Sequence, residues 1–299
     1  LANETQIQIN EFIVTPFLID HSACDAYAFL IECDGKKVIY TGDFRSHGTK
    51  GHLTEHFARH PLTQKPDILL IEGTNIFKHD YVADHEDVIG IKAEAFMKKI
   101  KGNIFILQSA GNIDRIEQIY KASIKANRTL LIDIFTAHIL ATLPDNKYSD
   151  VKIFYPYWLT QKMHETLEGT KKMNRFSRRK ISKEELKSRS DLCILVRENM
   201  LSDIEHRMDY SDAGMIYSKW EGYKNDFKTK RFLEFFSANK AGTISLHTSG
   251  HADIQTLKDF VRDLIPGKII PVRTSQPRNY NEFFDVRLSL ANYKRNIRV

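Results

Sequence analysis

The feature that most constrains the fold is a double switch of hydrophobic period between residues 103 and 133. Asn103-Ile104-Phe105-Ile106-Leu107 is an apolar run of strand length, Ile113 to Asn127 carries helical spacing, and Thr129-Leu130-Leu131-Ile132-Asp133 returns to a strand. Strands joined by a crossover of this length pair in parallel, which marks a βαβ unit and an α/β class. Lys152 to Tyr155 and Leu192 to Val196 read as further strands of that layer. A final block from Thr243 to Val272 reads strand, loop, helix, strand, with Pro266-Gly267 ending the helix.

Upstream, Ile7, Ile9, Phe12, Val14 and Phe17 alternate imperfectly with polar residues, and Ile7 to Val14 reads as the middle of a sheet. A second strand, Ala26 to Cys33, turns through Asp34-Gly35, a hairpin signal, into Lys37 to Thr41. Asp67 to Gly73 reads as a buried strand. A helix is expected over residues 84–100 with Val88, Ile91, Ala95 and Phe96 on its apolar side. Internal boundaries are expected near Lys101-Gly102-Asn103 and Lys240-Ala241-Gly242.

Composition narrows the function classes. Of 299 residues, 42% are hydrophobic and 27% charged, the balance of a globular chain. Lys and Arg exceed Asp and Glu by 44 to 38, a charge of +6 that suits a nucleic-acid partner. No apolar run approaches the ~20 residues of a membrane span, so no membrane association is expected. Three cysteines (Cys24, Cys33 and Cys193) without CxxC spacing argue against a disulfide scaffold and for a reducing, cytoplasmic setting. The chain opens on Leu1 and not on Met, which reads as a lost beginning.

Four short segments put His, Asp or Glu at the end of a predicted strand: Asp20-His21-Ser22-Ala23, Thr41-Gly42-Asp43-Phe44, Glu72-Gly73-Thr74 and His247-Thr248-Ser249-Gly250-His251-Ala252. Strand ends hold catalytic groups because the strand fixes them at a solvent-facing edge. Imidazole and carboxylate suit zinc, manganese or iron, and paired ions activate water against a phosphate.

The run from Asp20 through Glu32 and on through Lys37-Val38-Ile39-Tyr40-Thr41-Gly42-Asp43-Phe44-Arg45 resembles the metallo-β-lactamase superfamily. Ser249-Gly250-His251-Ala252, followed by a helix and Ile269-Ile270-Pro271-Val272, is similar to the close of its β-CASP branch, which includes ribonuclease J and the cleavage-factor nucleases. The resemblance implies an αββα sandwich lacking its N-terminal part, built from residues 1–102 and 242–299, with an inserted α/β β-CASP domain over 103–241. It makes His21 and Asp43 metal ligands for two zinc ions, with manganese as the substitute. It makes Asp43, Glu72 and His251 the catalytic set, and it gives phosphate to His247, Ser249, Gly250, Arg273, Asn112 and Arg115. The implied activity is a phosphodiesterase acting through metal-bound hydroxide, on RNA in preference to DNA. Self-association is left open.

Two departures qualify the resemblance. The His-x-His-x-Asp-His motif that should precede residue 20 is absent, so this chain by itself is expected to be inactive. Arg273 stands where a metal-binding His is expected, and a guanidinium offers only donors. A phosphate clamp or a site short of one metal accommodates it. The alternatives are a catalytically impaired nucleic-acid-binding relative and a metallo-hydrolase of small molecules. The run Lys171 to Lys180, interrupted by Phe176 and preceded by Tyr155, Tyr157 and Trp158, suits single-stranded nucleic acid, with bases stacking on the aromatics.

Overall fold

The computed structural model describes residues 1–143 and 148–290, and shows a mixed α/β chain with two six-stranded sheets. The strands, in chain order, are β1 (Ile7–Ile9), β2 (Phe12–Leu18), β3 (Tyr27–Cys33), β4 (Lys36–Tyr40), β5 (Ile68–Glu72), β6 (Ile104–Leu107), β7 (Thr129–Asp133), β8 (Lys152–Phe154), β9 (Leu192–Val196), β10 (Gly214–Tyr217), β11 (Gly242–Ser245) and β12 (Ile269–Val272). Contacts divide the chain into two compact units, residues 1–86 with 248–299, and residues 87–247.

The first unit holds one sheet in the order β1-β2-β3-β4-β5-β12. The first four strands form an antiparallel meander, and β5 and β12 add in parallel. Asp34 and Gly35, with φ of 49° and 72°, make the β3–β4 turn, and positive φ at both central positions is what twists a two-residue loop to match its strands. One sheet face is closed by the helices Gly51–Arg59 and Ile254–Leu264, whose Phe57, Leu257, Phe260 and Leu264 pack on Phe17, Leu30, Ile39, Leu69 and Ile71. The second helix starts at Asp253, whose side chain accepts from Thr256 N at 2.9 Å, and stops at Ile265 in the left-handed region. On the other side of the sheet lie Ile9, Phe12 and Tyr40, exposed by 52%, 40% and 37%. Of the two sheets an αββα sandwich contains, the described residues of this unit form one.

The second unit is an all-parallel sheet in the order β11-β10-β6-β9-β7-β8. Its central strands are buried from end to end, as expected where helices cover both faces. Ile104, Ile106, Ile132 and Ile153 pack with the helices Glu86–Lys99 and Ile113–Lys125, while Phe105, Leu107, Ile194 and Tyr217 pack with Phe232 and Phe236 of helix Phe227–Ala238.

The structure corrects several expectations. The stretch read as mid-sheet is a hairpin, because Asn10 takes a left-handed φ of 52°, and β1 is the sheet's edge. The helix expected over 84–100 buries Ile89, Ala93 and Met97, while Ile91 is 64% exposed. Its packing places that helix in the second unit, and β11 pairs with β10, so the boundaries lie at 86/87 and 247/248 in place of 102/103 and 241/242.

Candidate functional site

Four loops at strand ends of the first unit meet. His21 follows β2, Asp43 follows β4, Glu72 ends β5, and His251 lies in the loop leading to helix Ile254–Leu264. The rings of His21 and His251 are 5.3 Å apart at 60°. His21 Nδ1 lies 2.5 Å from the Gly250 carbonyl, and His251 Nδ1 lies 3.3 Å from Glu72 Oε1. Both partners are acceptors, so each ring carries a proton on Nδ1, and Nε2 is the nitrogen left for a ligand or a second proton. Gly250 is required here, since a Cβ would fall 2.4 Å from Ser22 Oγ and 3.2 Å from His21 Cε1.

Glu72 organises the floor. Its Oε1 faces the amides of Phe44 and Ala252 at 3.4 and 3.3 Å, and its Oε2 accepts from Thr74 N at 3.0 Å. Burial pushes its pKa up, but the hydrogen bond and charge of His251 and the bonds from Thr74 outweigh it and hold the carboxyl below 4.5. Burial also lowers the pKa of His21, reinforced by the neighbouring His251, although the Gly250 carbonyl and Asp43 oppose it.

Beneath the loops lies an ionic network that the sequence did not disclose. Arg45 Nη1 donates to Glu86 Oε1 at 2.8 Å and its Nε lies 3.4 Å from Asp20 Oδ1, with all three side chains fully buried. Asp20 Oδ2 accepts from Gly48 N at 2.8 Å, and a Cβ on Gly48 would sit 2.4 Å from that carboxylate. Asn75 Nδ2 reaches Ser249 Oγ, the His251 carbonyl and the Ala252 carbonyl at 3.1, 3.3 and 3.1 Å, so one amide fixes the His251 loop. Asp20 directly precedes the motif residue His21, and Arg45 lies two residues after Asp43. Neighbours of that kind were the available signal.

Arg273, at the end of β12 with a φ of 50°, places Nε 2.9 Å from Asp43 Oδ1. This is ion-pair distance without hydrogen-bond geometry, and Oδ1 is buried with no hydrogen bond. A buried oxygen of this kind suits a cation, and the two Nε2 lone pairs suit a metal. Against that, Arg273 already supplies the cation. Among the described residues no three ligand atoms of His21, Asp43, Glu72 and His251 lie within 4.8 Å of one another, and the group that meets this distance is Glu4, His56 and His60. The residues at this centre, as they stand, do not fit a metal ion.

Three of the expected phosphate contacts fall in the second unit. His247 belongs to the second unit, as do Asn112 and Arg115. Asn112 caps helix Ile113–Lys125, accepting from Arg115 N at 3.1 Å. The grip expected of Arg115 is corrected by its burial: fully enclosed, its guanidinium donates to Ser218 Oγ and, at 3.2 Å, to the Leu246 carbonyl. Phe176 is likewise a core residue, 3% exposed and flanked by Arg175 and Arg179, so it offers no face to a base. Close by, a cavity of about 1000 Å³ is lined by Tyr155, Tyr157, Lys180, Lys183, Lys187 and Arg207 among others, and among the described residues no carboxylate lines it.

No family model matches the chain. Over 133 residues, 44% of this chain, it is 22% identical to Ribonuclease J 2 of Streptococcus pyogenes serotype M3. The chain spans 24% of that protein's length. Its fold is similar to the crystal structure of a protein of unknown function from Enterococcus faecalis V583, with a TM-score of 0.74 and 19% identity, covering 98% of this chain and 65% of that one. The chain is thus a mixed α/β protein with a distant sequence likeness to a ribonuclease. Among the described residues no helix is long and apolar enough to cross a membrane.

Proposed function

We propose that the protein is a nucleic-acid hydrolase of the metallo-β-lactamase type, β-CASP branch, acting on phosphodiesters of RNA in preference to DNA. The observation that carries this reading is the buried Glu72 carboxylate held against His251, beside His21. Glu72 fixes the His251 ring so that, with both nitrogens protonated, Nε2 gives its proton to the leaving ester oxygen while water attacks phosphorus, the ester P–O bond breaks and the water's proton passes to solvent. Arg273 is 60% exposed, and its planar fork matches a phosphate once Asp43 has aimed it. The positive charge of the chain and the carboxylate-free cavity of the second unit supply sequence-independent attraction for a polyanion. Because the residues present do not fit an ion, the chemistry assigned to the centre rests on its own side chains.

The test is cleavage of single-stranded RNA and DNA by the protein, with and without added zinc or manganese. His251→Ala is expected to lower the rate by about 100-fold or more, the range of a lost general acid, and Asp43→Ala to lower it as well. Equal cleavage by wild type and Asp43→Ala overturns the assignment.

The Asp43–Arg273 pair favours a second reading, a nucleic-acid-binding relative without hydrolysis. Wild type that binds RNA with steep salt dependence and cleaves nothing establishes it.

A further inference from the structure

Away from this centre, Glu4, His56 and His60 bring a carboxylate and two imidazoles together at the end of helix Gly51–Arg59. His56 Nε2 is 3.1 Å from Glu4 Oε1, and His60 Nε2 is 3.8 Å from Glu4 Oε2. A tetrahedral zinc ion with ligand distances of about 2.0–2.2 Å has donor–donor edges of roughly 3.4 Å, between those two values. We propose that this cluster is a zinc-class divalent metal site, with Glu4, His56 and His60 as three ligands and a fourth position open to solvent.

Three independent features support it. Glu4 is held in the left-handed region at φ 57° while its amide donates to the Pro16 carbonyl at 2.8 Å, so an uncommon backbone aims the carboxylate at the helix. The rings of His56 and His60 sit 5.3 Å apart, the four-residue spacing bringing them to one side. An open pocket of about 330 Å³ beside them, lined also by His52 and Glu55, leaves room for the ion and its water. The helix C-terminus favours a cation, and the adjacent Arg59 is already paired with Asp263 at 3.1 Å.

The metal-free arrangement sets the limit on affinity. Leu62 N donates to His60 Nδ1 at 3.2 Å, so the neutral ring carries its proton on Nε2. Zinc on Nε2 requires the proton to move to Nδ1, which then no longer accepts from Leu62 N. Bound metal then staples the N-terminal segment to the helix.

The site does not depend on the functional reading. The experiment is a zinc titration of the whole protein against a chromogenic chelator, followed by cobalt substitution and thermal unfolding with and without zinc. Wild type is expected to bind zinc at this site, to give a tetrahedral cobalt absorption, and to melt higher with zinc. Glu4→Gln and His56→Ala, at exposed positions, should each weaken that binding at least tenfold and remove the zinc-dependent rise in melting temperature. His21→Ala is expected to leave both unchanged. Zinc binding and melting that are the same in wild type, Glu4→Gln and His56→Ala overturn the proposal, whatever the nuclease assay shows.

Discussion

Arg273 Nε stands 2.9 Å from Asp43 Oδ1, joining the end of the sixth strand of the first sheet to the loop after the fourth. The pair brings the candidate centre a balanced charge: the carboxylate that would attract a cation already faces one. Its partner geometry leaves the guanidinium largely exposed, which is where a phosphate would meet it.

Arg273→Ala should therefore weaken RNA binding and lower the slope of log affinity against log salt by about one, the signature of one lost phosphate contact. Fluorescence anisotropy at several salt concentrations measures it. An unchanged slope means that Arg273 serves Asp43 alone.

Arg45→Met tests the network below. It removes the cation between two fully buried carboxylates, Asp20 and Glu86, and leaving charges uncompensated in this way costs about 3–5 kcal/mol. Urea unfolding should show a lower midpoint, and a loss under about 1 kcal/mol would mean that the carboxylates find other partners.

Asn75→Ala removes the amide that reaches three acceptors in the His251 loop. A stability loss of about 1–3 kcal/mol is expected, together with faster amide exchange at His251 and Ala252. Unchanged exchange there would show that Glu72 suffices to hold the loop.

Acid should act on this centre in two stages. Burial first, helped by His251, puts the folded His21 pKa below 6.5, so protons bind the unfolded chain more readily. Stability from this group is complete above pH 6.5 and is lost as pH falls through the folded value. Buried His47, lowered likewise by burial, behaves the same way. Glu72, held below 4.5, contributes stability above pH 4.5 that is lost on further acidification. Denaturant unfolding from pH 7.5 to pH 3 should show both losses, and Glu72→Gln should make the lower one smaller; an unchanged acid loss would mean that Glu72 does not contribute to it.

How much of this was legible in the sequence follows from which patterns are local. Asp34-Gly35 announced its hairpin, and the alternation from β6 to β7 announced a parallel sheet, because both signals span few residues, but β9 pairs between those two strands, which a local pattern does not reveal. His21, Asp43, Glu72 and His251 stood out because titratable residues followed apolar runs. The joint burial of Arg45, Asp20 and Glu86 was not legible, since it is decided by packing between segments far apart in the chain. The same holds for Arg115 and Phe176, whose polar neighbours suggested a surface while the fold enclosed them. Helix Glu86–Lys99 has apolar residues on more than one side. Only the sheet it packs against selects Ile89, Ala93 and Met97 over Ile91.

The pairing of β5 with β12 has a consequence for the newborn chain. The two strands lie side by side, yet Ile269 is made about 200 residues after Glu72. At translation rates of ~5–20 residues per second, the outer edge of β5 waits roughly 10–40 s for its neighbour. During that interval its unpaired amides and carbonyls are open to any strand that passes, so the ribosome's pace and whatever shields that edge bear on the yield of correctly folded protein.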